Sequence, residues 1–278
     1  MQIIPYFLIL IMGLILGLMG GGGSILSVPI LIYGFGISAS TASGYSLFLV
    51  GSTALFGTLI YGLKKQVNWK IGLLFSMPAL VAAFSTRKFL IPLLPDLIFD
   101  FADFSLSKNL LILTVFVVTM LVSSFAMIKI RPQITEENKS NKTHMRVNVV
   151  EVVVKSFGIG ILTGFIGAGG GFLIVPALIF LLGLDTKTAA ATSLFVISIS
   201  SLFGFLAEIG NSSIRWDLLF TLLILALIGN IFGIILNKFI AGEKLKKSFG
   251  YFTLLVAIFI TIQELLKFFQ IIYLLCQT

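Results

Sequence analysis

The sequence predicts an all-α polytopic membrane protein made of two inverted repeats, each a glycine-broken helical hairpin followed by three transmembrane helices. Three observations predict it. The chain of 278 residues is 58% hydrophobic and only 11% charged, with a mean hydropathy of +1.12. Soluble domains carry about 25% charged residues, so this chain cannot wrap its core in a polar shell. Apolar runs of the roughly 17 to 25 residues that cross a bilayer recur along its whole length. Finally, shifting the sequence by 147 residues lays its second half on its first.

The duplication is carried by particular residues. "LGLMGGGGSILSVPIL" (16–31) returns as "LTGFIGAGGGFLIVPAL" (162–178). Gly17 falls on Gly164, Gly20 on Gly167, Gly22 and Gly23 on Gly169 and Gly170, and Pro29 on Pro176. Further on, Ser46, Leu47 and Phe48 meet Ser193, Leu194 and Phe195, and the two tryptophans, Trp69 and Trp216, coincide. Residues 1–130 form the first repeat, 148–278 the second, and the hydrophilic stretch 131–147, which holds the sole histidine His144, is the linker.

Each half opens on an apolar segment (3–35 and 150–184) interrupted by glycines. Glycine is about 1 kcal/mol worse than alanine inside a helix, so a run of four marks a break. An unbroken helix over 3–35 would be about 50 Å long, too long for one crossing. The segment therefore either crosses with a break or folds back. Positive charge decides. If every segment crosses, the Lys and Arg residues outside Lys155 divide ten against eight; if the glycine segments are hairpins, they divide thirteen against five. The second division obeys the positive-inside rule. A span rich in small and hydroxylated residues follows in each half (41–62 and 188–209), then two more (70–91 and 108–129; 216–239 and 247–274). Three net crossings per half invert the second repeat, an architecture used by secondary transporters. Both termini are then expected outside and the linker in the cytoplasm.

At each bend a short helix is expected to begin, from Ser24 and from Gly171. A helix start offers unpaired N–H groups and the positive end of its dipole, and glycine lets a ligand come close to the amides. Two such ends brought together near the midplane would form an anion site of backbone, with Gly20, Gly21, Gly22, Gly23 and Ser24 from one bend and Gly169, Gly170 and Gly171 from the other. The following spans add hydroxyls, of which Ser46, Thr192 and Ser193 are the candidates beside the bends. Glu208, at the end of its span, is the candidate for proton coupling, and Lys155 one for substrate attraction. Small residues also serve close helix packing, which accounts for Gly13, Gly17, Gly158 and Gly160.

The repeated glycine bend followed by proline, with "TASGYSLF" and "AAATSLFVI" after it, resembles the sulfite exporter TauE/SafE family of membrane transport proteins. That resemblance covers nearly the whole chain. It implies transport of a small sulfur-containing anion, sulfite or an organosulfonate, across the bacterial plasma (inner) membrane. Ser24 stands where the second half has Gly171, and Tyr45 where it has Thr192.

Other classes are excluded or left as rivals. The single cysteine, Cys276, and single histidine rule out a His/Cys metal cluster in one chain, and no cofactor is expected. The net charge of +8 lies in loops that orient the chain in the lipid bilayer, so nucleic acid is not a partner. No paired acid and base or activated nucleophile lies in the spans, so the chain is not read as an enzyme. Without a Walker-type phosphate loop it does not hydrolyse ATP itself. A passive anion channel and a non-transporting scaffold or receptor subunit are the alternatives, and a homo-oligomer is compatible with either.

Overall fold

The computed structural model describes residues 3–95, 97–101, 104–129, 149–166, 170–208 and 214–275. The linker, His144, Gly169, Asp96, Asp103 and Cys276 lie outside them. Helix α1 (Ile3–Met19) leads into the short α2 (Ser24–Pro29), which Pro29 closes and a π-turn over Ile30–Gly34 extends. Then come α3 (Ala39–Leu63), α4 (Trp69–Ser85) with a π-turn and a last short turn to Leu93, and α5 (Lys108–Lys129). The second half repeats the order: α6 (Val149–Ile166), a 3-10 turn over Gly170–Leu173, α7 (Ile174–Phe180), α8 (Thr186–Glu208), α9 (Trp216–Phe239) and α10 (Gly242–Leu275). One departure from helix was not expected: Leu97–Phe101 and Phe104–Ser107 pair as an antiparallel ribbon ahead of α5. It lies in the connector, outside the spans.

Among the described residues seven helices are long and apolar enough to cross a membrane: α3, α4, α5, α6, α8, α9 and the first part of α10. Their outward faces carry large apolar side chains, such as Leu59, Val122 and Phe232, as lipid contact requires.

Both glycine-broken segments fold back. In the first half the return strand of the hairpin ends beside its start: the Tyr6 and Phe35 rings meet edge to face at 5.1 Å, and Gly34 lies against Pro5. In the second half Lys155, on α6, donates to the Leu181 carbonyl just past α7 at 2.7 Å and pairs with Glu151. A cation at the carbonyl end of a helix is electrostatically favoured, so Lys155 fastens the hairpin.

The halves interlock through repeat-equivalent contacts. Gly13 and Gly17 of α1 lie directly on the backbone of Ala226 and Asn230 in α9, and Gly160 and Gly164 of α6 lie on Ala79 and Ala83 in α4. Each of these contacts becomes the other under the 147-residue shift. Only small residues permit backbones to approach this closely. Trp69 packs edge-on to Phe195 at 5.0 Å, and Trp216 to Phe48 at 5.9 Å, again as repeat partners. The equivalent helices α3 and α8 meet each other and run antiparallel, with Gly51 against Leu202, Gly57 against Leu194 and Leu47 against Gly204.

Candidate functional site

The run of four glycines has a stereochemical cause. Gly20 turns the chain at φ +83°, a left-handed conformation that favours glycine, and its N–H still closes α1 on the Leu16 carbonyl at 2.9 Å. A methyl group on Gly21 would run into the carbonyl oxygen of Gly171, and one on Gly20 into Ser193 and Ala190. Gly22 is roomier: a methyl there would sit 3.3 Å from the ends of Ile15 and Phe249.

The two bends therefore touch. Ser24 and Gly171, which occupy the same place in the two repeats, face each other: a methyl on Gly171 would lie 2.9 Å from the Ser24 hydroxyl and 3.3 Å from Ile197, halfway along α8. The Ser24 hydroxyl donates to the Gly21 carbonyl at 2.7 Å. Ser27 donates to the Ser24 carbonyl at 2.7 Å or shares its proton with Ser46 at 2.5 Å. All three serines are buried. Ser193 is buried beside Gly20 and donates to the Ala190 carbonyl at 2.8 Å.

The backbone refines the expectation of free amides. The N–H groups of Ser24, Ile25 and Leu26 already donate to the carbonyls of Gly21, Gly22 and Gly23, at 3.2 to 3.4 Å. The open donors fall one step earlier. Gly21, Gly22 and Gly23 donate to no carbonyl of the described residues.

Thr192 does not join this junction. Its hydroxyl oxygen accepts the Asn68 N–H at 3.0 Å, at the start of α4. The repeat counterpart is the Tyr45 hydroxyl accepting the Arg215 N–H at 2.6 Å, at the start of α9. Tyrosine and threonine thus do one job in the two halves, pinning the loop before the third helix to the second. Glu208 ends α8; its side chain lies outside the description.

A cavity of about 570 Å³ opens beside the junction. Ser24 and Gly171 form part of its lining, with Ala79 and Ala83 of α4, Thr163 of α6, and Ser200 and Gly204 of α8; Lys88 also borders it. The Lys88 ammonium lies over the rings of Phe84 and Phe89, at 5.5 and 5.8 Å. Thr163 donates to the Gly160 carbonyl at 3.0 Å and Ser200 to Val196 at 2.9 Å. Each hydroxyl thus uses its proton within its own helix, and an anion must draw that proton away to be held by it. Sequence reasoning missed Thr163 and Lys88, because only the pairing of α4 with α6 brings them to one wall. Among the described residues no group of His, Cys, Asp or Glu could hold a metal ion.

The profile of the sulfite exporter TauE/SafE family matches residues 6–260. The chain belongs to that family. Its relatives include a protein of Xylella fastidiosa, 28% identical over 90% of this chain and 91% of its own. YunE of Bacillus subtilis is 27% identical, over 76% and 81%. A shorter match joins it to MJ0441 of Methanocaldococcus jannaschii, 34% identical over 39% and 43%. All three are named as probable membrane transporter proteins. No solved structure matches the chain significantly. This TauE/SafE member is thus a multi-pass membrane protein of a transporter family, and the junction of its bends is its candidate site.

Proposed function

We propose that this family member is a secondary transporter moving a small sulfur-containing anion, of the sulfite or organosulfonate class, across a bacterial plasma membrane. The observation that carries the reading is the meeting of the two glycine bends at the side of a cavity that holds hydroxyls and a lysine but no described carboxylate. Open amides of Gly21 to Gly23, with Ser24 beside them and Gly170 and Gly171 opposite, suit an oxyanion that must shed water: backbone donors need no counter-charge in the membrane. Ser46 and Ser193 brace the first bend, at Ser27 and beside Gly20, and Gly169 belongs to the run of the second. The antiparallel course of α3 and α8 supports two inverted repeats, and the bias of Lys and Arg supports a cytoplasmic linker with both termini outside. Glu208 is the coupling carboxylate in this reading.

Sulfite flux into proteoliposomes, under an imposed proton gradient and separately an imposed voltage, tests it. Saturable flux, stimulated by protons at fixed voltage and losing that stimulation in Glu208→Gln, is the expected result. A current that follows the electrochemical gradient without saturation would mean a passive channel. No movement of sulfite or any organosulfonate would leave a scaffold or receptor subunit.

A further inference from the structure

The repeat operation that exchanges α4 with α9, α6 with α1 and α8 with α3 can be applied to the cavity itself. Ala83 goes to Asn230, Ser200 to Thr53, Thr163 to Leu16 and Gly164 to Gly17. A counterpart cavity would therefore lie between α1, α3 and α9. That place is packed shut. Leu16, Thr53, Ala226 and Asn230 are all at 0% exposure, whereas Thr163, Ser200 and Ala83, the counterparts of Leu16, Thr53 and Asn230, are only partly buried.

The closed side holds an anomaly. Neither the nitrogen nor the oxygen of the Asn230 carboxamide has a hydrogen-bond partner, and the Thr53 hydroxyl has none either. A methyl on Gly57 would touch the Asn230 oxygen at 3.1 Å, and Thr53 lies one turn before Gly57 on the same helix face. Buried groups are almost always paired, and an orphan carries its full desolvation cost. In a membrane that cost has no solvent to relieve it. An orphaned carboxamide at the repeat position of a cavity-lining residue is polar surface laid down for a space that is closed.

We infer that the packed region between α1, α3 and α9 is a second chamber, opening toward the other membrane face, and that Asn230 and Thr53 contact the anion there through the carboxamide N–H and the hydroxyl. The inference rests on the transporter reading for its anion. The chamber's mouth is basic. Tyr61 of α3 and Asn237 of α9 grip the Gly17 and Leu18 carbonyls at 2.8 and 2.6 Å, which sets Lys64 and Lys238 at the end of α1. Lys64 lies 5.4 Å from the Tyr61 ring, and neither lysine is ion-paired to a described carboxylate.

The test is side-specific thiol labelling. Thr53→Cys, Asn230→Cys and Ser200→Cys are made singly in a Cys276→Ser background, confirmed folded by size-exclusion chromatography, and labelled in sealed vesicles with a membrane-impermeant maleimide from each face. Ser200→Cys is expected to label from one face, Thr53→Cys and Asn230→Cys from the opposite face only. Methanesulfonate, an anion inert to the reagent, is expected to slow labelling of the latter pair. Adding Thr163→Trp, which fills the open cavity, should speed it. Labelling of Thr53→Cys and Asn230→Cys from the same face as Ser200→Cys would overturn the second chamber. So would no labelling from either face, even with Thr163→Trp. Opposite-face labelling without protection would overturn the anion contact. Opposite-face labelling in a protein that moves no anion would uphold two chambers and sink the transporter reading alone.

Discussion

Gly21→Ala and Gly22→Ala form a matched pair that separates contact between the bends from everything else the glycines do. Both substitutions keep the backbone N–H, and both add one methyl. At Gly21 the methyl meets the Gly171 carbonyl well inside van der Waals contact, with backbone on both sides and no flexible side chain to yield. The bends must part by roughly 1 Å, and overpacking of this kind costs about 1–3 kcal/mol. At Gly22 the same methyl stands 3.3 Å from the movable ends of Ile15 and Phe249, where a few tenths of an ångström of side-chain adjustment suffices, at a cost under about 1 kcal/mol. Sulfite flux and thermal unfolding in matched proteoliposomes or detergent check both. Gly21→Ala should lose most of its flux and unfold at lower temperature, while Gly22→Ala should keep near-normal stability and most of its transport. Full transport in Gly21→Ala, or equal damage in the two variants, would refute the argument that the touching bends are the working part.

Other expectations follow from single contacts. Asn230→Leu replaces an orphaned carboxamide by an apolar group of similar shape, so the closed side should gain about 1–3 kcal/mol; melting temperature rises while flux falls, since each 1.4 kcal/mol shifts a two-state population tenfold. Thr192→Val and Tyr45→Phe each remove the acceptor for one loop amide, at about 1 kcal/mol, and should lower thermal stability without changing the half-saturating anion concentration. Lys64 is held below its ordinary pKa first by partial desolvation and then by Lys238. A base so shifted binds its proton less tightly folded than unfolded, so stability should rise as pH climbs from that lowered value to the ordinary one. Lys238→Gln should flatten that rise, as read from melting temperature across the alkaline range.

Much of this architecture was legible because duplication and hydrophobicity are written along the chain. The glycine runs, the fold-back of 3–35, and the helix after each bend follow from length, charge and local stereochemistry. What stayed hidden depends on which helix lies against which. Nothing in the sequence near Thr163 says that α4 will lie beside it, so the cavity wall was invisible. Thr192 follows Ala191 and precedes Ser193, yet neighbours on a helix point about 100° apart, and its hydroxyl accepts the Asn68 N–H. Ser24 was expected to offer its amide; the backbone instead tightens by i to i−3 bonds, a common habit at helix ends, and moves the open donors back onto the glycines. The ribbon before α5 alternates apolar and polar residues only over Phe99-Asp100-Phe101 and Phe104-Ser105-Leu106-Ser107, too briefly to mark strands in the sequence.

The contact of Ser24 with Gly171 has a meaning of its own. In a dimer of identical half-length chains, a residue on the two-fold axis meets itself, and whatever it gains in size it must accommodate twice. A glycine there would leave a gap and a serine would crowd its own copy. Joining both halves in one polypeptide removes that restriction: one side supplies the hydroxyl and the other the room for it. The same freedom lets one helix seam carry Asn230 and the other Ala83. If the protein transports as proposed, its two faces therefore need not bind the anion equally well, so its rates can differ between the two directions even though the gradients alone set the net flow.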